Sequence, residues 1–387
     1  MSIYKRASGR YAVLVDQDSS PSGARRRRSL GTFATRKEAE RAEREALTAR
    51  DRGIELAPGR LTLQQLFERF VADGEARGLS GTTIHGQKQI WKRCGTIAAL
   101  PVSRLRPAHL AELYSSLIRV GWAGGRGPLS SRSVGHTHAL ISTMLRWAVR
   151  LELAVRNVAD AVEPPKGSKR VARAYQRDDA LKLIDEAVKT RYGPLVVFGF
   201  ETGLRRGELA GLKWIDVELE RRIATIRGSV AQVPRRTWYK STKTDNIAQI
   251  ALSEHAIEAL KAQRVQQAKD KLAIGPHYND QGFVFASEAG GFPSPGSISN
   301  ALRRLAMRAG LSIRTVHAMR HSTGSWLIRA GVDVRTVAAV LRHSSAATTL
   351  NVYAHEIEGA QADAVTHLLG EHGNRMATGT LKNNEKA

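Results

Sequence analysis

Residues 315–355 read TVHAMRHSTGSWLIRAGVDVRTVAAVLRHSSAATTLNVYAH and contain His317, Arg320, His343 and Tyr353. A guanidinium can grip a phosphate through two parallel hydrogen bonds, imidazoles can donate or accept protons beside it, and a phenol can serve as a nucleophile. In a chain of formal charge +24, that set of residue types predicts phosphate chemistry.

The helical punctuation shows how these groups could converge. Thr315 can cap a helix whose first turn carries His317 and Arg320, an i,i+3 pair able to address one anion at the positive helix end. Gly331 stops that helix. Asp333 caps a short one running to about residue 342 and delivering His343, and Ser345 can cap a third that carries Tyr353.

An H-x-x-R pair followed by HSS-x-x-TT-x-x-x-Y-x-H closely resembles the tyrosine recombinases, also called phage integrases. Residues 201–214, ETGLRRGELAGLKW, resemble that family's first arginine box, and residues 241–252, STKTDNIAQIAL, its lysine hairpin. The four boxes stand in the family's order, and the resemblance covers roughly residues 60–365. It implies that Tyr353 attacks a DNA phosphate to form a 3′-phosphotyrosyl bond and release a 5′-hydroxyl. Arg205 and Arg320, with His343 donating a hydrogen bond, would stabilise the pentacoordinate transition state. His317 would position or deprotonate the tyrosine, and Glu208, one turn beyond Arg205, would buttress a catalytic side chain. Lys243, in a turn between two extended runs, would protonate the leaving oxygen, with Lys240 as the alternative. Because the ester energy is kept in the protein link, religation needs no ATP, metal or cofactor. One position departs from the pattern: the family usually has glycine before the second histidine, and this chain has Arg342. Glycine there would supply a positive-φ helix stop, so arginine predicts a strained or rearranged cap.

Composition agrees with a polyanion partner. Sixty Lys and Arg stand against 36 Asp and Glu, spread along the chain, and 42% hydrophobic residues can build proper cores. No apolar run approaches the ~18 residues that span a bilayer. The N-terminus lacks the apolar stretch of a signal peptide, and the single cysteine, Cys94, cannot form an intrachain disulfide, so a cytoplasmic protein is expected. The arginines beside His317 and His343 disfavour a metal site, and no G-x-x-x-x-G-K-[ST] loop is present.

Read in order, the chain predicts a mainly α fold with small β-sheets (α+β). Residues 1–55 alternate in extended runs and end in a charged helix opened by a Thr35–Glu38 capping box. They resemble the arm-type DNA-binding domain of some integrases, with Arg25, Arg26, Arg27 and Arg28 as phosphate contacts or as a solvated edge. Residues 60–163 read as four helices capped by Thr62, Ser80 or Thr82, Arg106-Pro107, and Ser130 or Ser133, resembling the family's core-binding domain. There Lys88, Lys92 and Arg93 are candidate DNA contacts, whereas Trp91, Trp122 and Trp147, at helical spacing, are expected in the core. A basic hinge over residues 164–173 precedes the catalytic domain, residues 174–370, and residues 371–387 are expected to be disordered. The resemblance implies double-stranded attachment-site DNA as partner, a homotetramer on that DNA, and an excisionase and a DNA-bending host protein as accessory factors, with no membrane. Integration and excision of a phage or mobile element is the expected function. A chromosome- or plasmid-dimer resolvase, a type IB topoisomerase and a non-catalytic DNA-binding protein are the alternatives.

Overall fold

The computed structural model describes residues 2–7, 9–17, 26–51, 61–167, 174–241, 247–312, 315–343, 345–350 and 352–353. The chain divides into two units, Met1–Lys169 and Arg170–Ala387.

The first unit opens with β1 (Ser2–Lys5), β2 (Tyr11–Gln17) and β3 (Arg26–Phe33), an antiparallel sheet in that order, and then α1 (Arg36–Asp51). The Glu38 N–H donates to Thr35 Oγ1 at 3.2 Å and the Thr35 N–H to Glu38 Oε2 at 3.3 Å, closing the expected capping box. Buried Val13, Ala39 and Ala46, flanked by Ile3, Tyr11, Leu30 and Phe33, hold helix to sheet. Arg26, Arg27 and Arg28 lie on β3, paired through the backbone with Gln17, Asp16 and Val15; Arg25 lies outside the described residues.

A helical bundle follows: α2 (Leu63–Ala76), α3 (Gly81–Trp91), the single turn α4 (Gly95–Ala98), α5 (Pro107–Arg119) and α6 (Ser131–Arg150). The hydroxyls of Thr62, Ser80 and Ser130 each accept an N–H from the first turn of their helix, which settles two alternatives left open in sequence. Apolar stripes on these helices meet in one core. Trp91 stacks on Phe67 with ring centroids 4.5 Å apart and donates Nε1–H to Gln64 at 2.6 Å, while Trp147 meets Phe70 edge-on. Trp91 and Trp147 are buried packing residues, and Trp122 packs partly buried against the same core.

The second unit begins with α7 (Arg177–Val188), α8 (Gly193–Thr202) and α9 (Arg206–Gly211). Five short strands come next: β4 (Val217–Glu218), β5 (Ile223–Ile226), β6 (Gly228–Val233), β7 (Arg236–Ser241) and β8 (Ala248–Ala251). The unit is completed by α10 (Glu254–Ile274), α11 (Pro295–Arg308), α12 (Val316–Arg329) and α13 (Val334–Val340), with residues 346–350 and 352–353 again helical. Helix α8 is apolar nearly all round, and it is accordingly the central helix, packed against α7, α10 and α12. The strands that flank residues 242–246 are present, but they do not pair with each other. β7 joins β6 in a two-stranded sheet, whereas β8 lies beside β5 in the sheet β4-β5-β8. The expected simple hairpin is thus replaced by a crossing between two sheets, because the apolar Ile226 and Ile250 bury together on the other sheet. Lys243 itself lies outside the described residues.

Gly203 ends α8 in the left-handed conformation, φ +59°, and a Cβ there would come within 2.8 Å of Leu341. Gly203→Ala is therefore expected to lose about 2–4 kcal/mol, the left-handed penalty plus overpacking, in urea unfolding of the full chain. A loss below about 0.5 kcal/mol would show that this turn is not a constraint on the fold.

Candidate active site

Thr315 accepts the Ala318 N–H at 3.1 Å and starts α12, placing His317, Arg320, His321 and Gly324 on successive turns. Arg320 points inward and is 3% exposed. Its Nη1 donates to the Gly203 carbonyl at 2.8 Å and its Nη2 to the Leu341 carbonyl. Both acceptors sit just past the C-termini of α8 and α13, where helix carbonyls lack partners and the macrodipole favours a cation. The arginine that shares a helix face with His317 is thus clamped by two helix ends.

Helix α13 is capped by Asp333, whose Oδ1 accepts the Arg335 and Thr336 N–H groups at 3.0 Å each. It ends in a Schellman motif: the His343 N–H donates to Ala338 O and the Arg342 N–H to Ala339 O, both at 2.9 Å. That motif needs a left-handed residue at position 342, and Arg342 adopts φ +53°, the strain expected from the missing glycine. The turn then does further work. The Arg342 carbonyl accepts Arg205 Nη2 at 3.0 Å, so the turn that presents His343 also holds both arginines.

Arg205 is the N-cap of α9 and its side chain is 46% exposed. The buried Glu208 carboxylate accepts Arg205 Nη1 at 3.1 Å and the Arg205 backbone N–H at 2.9 Å, the buttress expected from their spacing. Arg342 Nη1 lies 3.1 Å from Glu208 Oε2, the oxygen that also accepts the Arg205 backbone N–H. His343 is oriented by a 2.7 Å bond between Nδ1 and the hydroxyl of buried Thr349. Burial, then Arg320 and Arg205, lower the His343 pKa to about 4. Burial also lowers Arg320 to about 10 with Arg205 adding repulsion, so the guanidinium stays protonated at neutral pH.

Tyr353 is 2% exposed. Its ring packs with Ile328, Val337 and Leu341, and its hydroxyl lies 3.4 Å from His321 Nδ1. The slot exists because residue 324 is glycine: a Cβ there would overlap the tyrosine hydroxyl. His321 also meets His317 edge-on, ring centroids 4.3 Å apart. Burial, with His317 and Arg320 adding positive neighbours, lowers His321 to about 4; desolvation of its inner edge, then Arg320 and Arg205, lowers the otherwise exposed His317. At neutral pH the fixed cations are thus arginines beside three neutral imidazoles.

The structure gathers Arg205, Glu208, Arg320 and His343 around one turn, and His317 and Tyr353 along α12. It adds His321, Gly324 and Thr349, which the sequence reading passed over. His321 lies one helical turn from His317, and a glycine in mid-helix is itself a sign of close approach. In the first unit, Lys88 pairs with Glu75 at 3.1 Å and Lys92 is exposed. Arg93 donates Nη1 to Ser133 O at 2.9 Å, a bond that ties α6 to the turn after α3. Among the described residues no cluster of three or more His, Cys, Asp or Glu could hold a metal, and no helix is long and apolar enough to cross a membrane.

Residues 173–359 match the family model of the phage integrase family. The tyrosine recombinase XerC-like protein of Caldanaerobacter subterraneus subsp. tengcongensis is 26% identical over 356 residues, covering 86% of this chain and 89% of its own. Among solved structures, the Tn1549 transposon integrase in complex with a circular intermediate DNA has a TM-score of 0.65 at 18% identity, covering 79% of this chain and 99% of its own. A lambda integrase dimer bound to a COC′ core site has a TM-score of 0.55 at 20% identity, covering 90% and 93%. Together the matches define an enzyme class, the tyrosine-type site-specific recombinases. Over residues 173–359 the chain carries a phage integrase family domain.

The lowered histidines make a pH prediction. Between about pH 6.5, the unperturbed value, and about 4, the unfolded chain binds protons that His321 and His343 in the folded protein do not. Stability therefore falls as pH drops through this window and is constant in this respect above it. Urea midpoints measured from pH 7.5 to 4.5 should decline more steeply for the native chain than for His321→Asn, and parallel curves would contradict the burial of a neutral imidazole.

Proposed function

We propose that the protein cuts and rejoins duplex DNA at specific sites through Tyr353, integrating and excising a phage or other mobile element. The observation that carries the chemistry is the shared turn: two guanidiniums held on the carbonyls of residues 341 and 342, with His343 next in the chain. Arg205 keeps a second proton on each terminal nitrogen and nearly half its surface open, so it can meet a non-bridging phosphate oxygen. Arg320 supplies positive charge from below, and His343 a hydrogen bond. His317 takes or positions the phenol proton, and Lys243 protonates the leaving 5′ oxygen. Tyr353 must leave its slot beside His321 to reach phosphorus, so the described arrangement is a resting one.

A Tyr353→Phe chain should bind duplex DNA as the native chain does and form no covalent adduct with a nicked suicide substrate, in the presence of chelator. Arg205→Ala and Arg320→Ala should each slow adduct formation by ~10²-fold or more, as loss of one preorganised donor does elsewhere. Adduct formed by Tyr353→Phe would move the nucleophile to another residue.

Integration is favoured over dimer resolution by the sheet and helix that precede the bundle. The 90% coverage by lambda integrase is more than residues 60–387 alone can supply, so that likeness in fold reaches into the residues before 60. The XerC-like relative keeps dimer resolution as the second reading. In the integrating reading residues 1–55 hold arm-type sites while the bundle and catalytic domain hold the core site, and the tether raises the effective concentration of one at the other. A chain starting at Leu61 should still cut the core site yet lose recombination on a long attachment site. Equal footprints and equal recombination with and without residues 1–60 would favour the resolvase.

A further inference from the structure

Position 342 holds an arginine where the backbone asks for glycine. Its φ of +53° is strained for any residue with a Cβ, and glycine would relax the turn. The side chain is not a loose surface group either: it is 11% exposed, with Nη1 3.1 Å from Glu208 Oε2. Glu208, 8% exposed, binds Arg205 through Nη1 and through the backbone N–H. One buried carboxylate therefore faces two guanidiniums.

That sharing has two physical effects. A carboxylate paired with Arg205 alone would cancel much of the charge Arg205 can offer an anion. With the Arg342 guanidinium beside Oε2, the cluster of Arg205, Arg320, Arg342 and Glu208 carries three cations against one anion. The second effect is geometric. Glu208 is held from both sides in the rotamer that aims Arg205, and Arg205 is held again by the Arg342 carbonyl at 3.0 Å. Arg342 thus acts on Arg205 twice, through its carbonyl and through its side chain by way of Glu208.

We propose that Arg342 is a positioning residue for strand cleavage: its guanidinium holds Glu208 and offsets its charge, so that Arg205 presents an oriented, uncompensated cation to the scissile phosphate. This rests on the reading of Arg205 as a phosphate ligand. Glycine at this position would keep the turn and both anchoring carbonyls, so the side chain can be tested apart from the fold.

The test uses the full chain with Arg342→Gly, Arg342→Gln and Arg342→Lys, measuring single-turnover adduct formation on a suicide duplex and, separately, the Kd for that duplex. Arg342→Gly and Arg342→Gln should cleave ~10-fold or more slowly, the scale of a small misplacement of a catalytic group, with Kd within about twofold of native. Arg342→Lys, which keeps the charge, should regain part of the rate. Arg205→Ala in parallel separates the two levels of inference. If Arg205→Ala is slow but Arg342→Gly cleaves at the native rate, the role given to Arg342 is overturned. If Arg342→Lys is as slow as Arg342→Gly, charge offset is overturned. If Arg205→Ala itself is unimpaired, the failure lies in the reading of the site.

Discussion

The site depends on a helix C-terminus used as a cation holder. The last carbonyls of α13 have no partner within the helix, and Arg320 and Arg205 supply their donors. The same logic operates at the end of α8, where Gly203 O takes Arg320 and Phe200 O takes the Thr323 hydroxyl at 2.7 Å. Two guanidiniums that would repel each other in isolation are each stabilised by carbonyl dipoles. The geometry of one turn then fixes three groups at once, because residues 341, 342 and 343 supply a carbonyl, a carbonyl and an imidazole.

The positive field so created explains the state of the imidazoles. His317, His321 and His343 all lie near arginines and are partly desolvated, and both effects favour the neutral form. A phosphate entering the site would bring negative charge and reverse the second of these effects. Neutral imidazoles leave the free protein with less self-repulsion among its cations. Tyr353 follows the same economy of exposure: its ring completes an apolar cluster between α12 and α13, and its hydroxyl finds His321 in place of water. Gly324 is what lets the Tyr353 ring fit this slot.

The first unit is built by different means. Its bundle is held by amphipathic helices and aromatic stacking around Trp91 and Trp147, and its small sheet by one face of α1. Arg93 illustrates how a basic residue can tie two elements together, since its guanidinium is directed to the first turns of α6. Lys92, one position earlier, is exposed.

Local order was legible in the residues themselves. Thr62, Asp333, Thr315 and the Thr35–Glu38 box announced helix starts because capping is an interaction among neighbours, and position 342 announced a left-handed turn for the same reason. The spacing of Arg205 and Glu208 likewise foretold their contact. What spacing could not supply was depth and long-range pairing. That Arg320 reaches Gly203 and Leu341, that Tyr353 lies against a histidine 32 residues earlier, and that β7 and β8 enter different sheets are outcomes of packing between segments far apart in the chain. Arg342 shows the division within one residue: its backbone strain followed from the helix stop that any reader of the turn could expect, but the ion pair with Glu208 exists because folding brought α9 beside the end of α13.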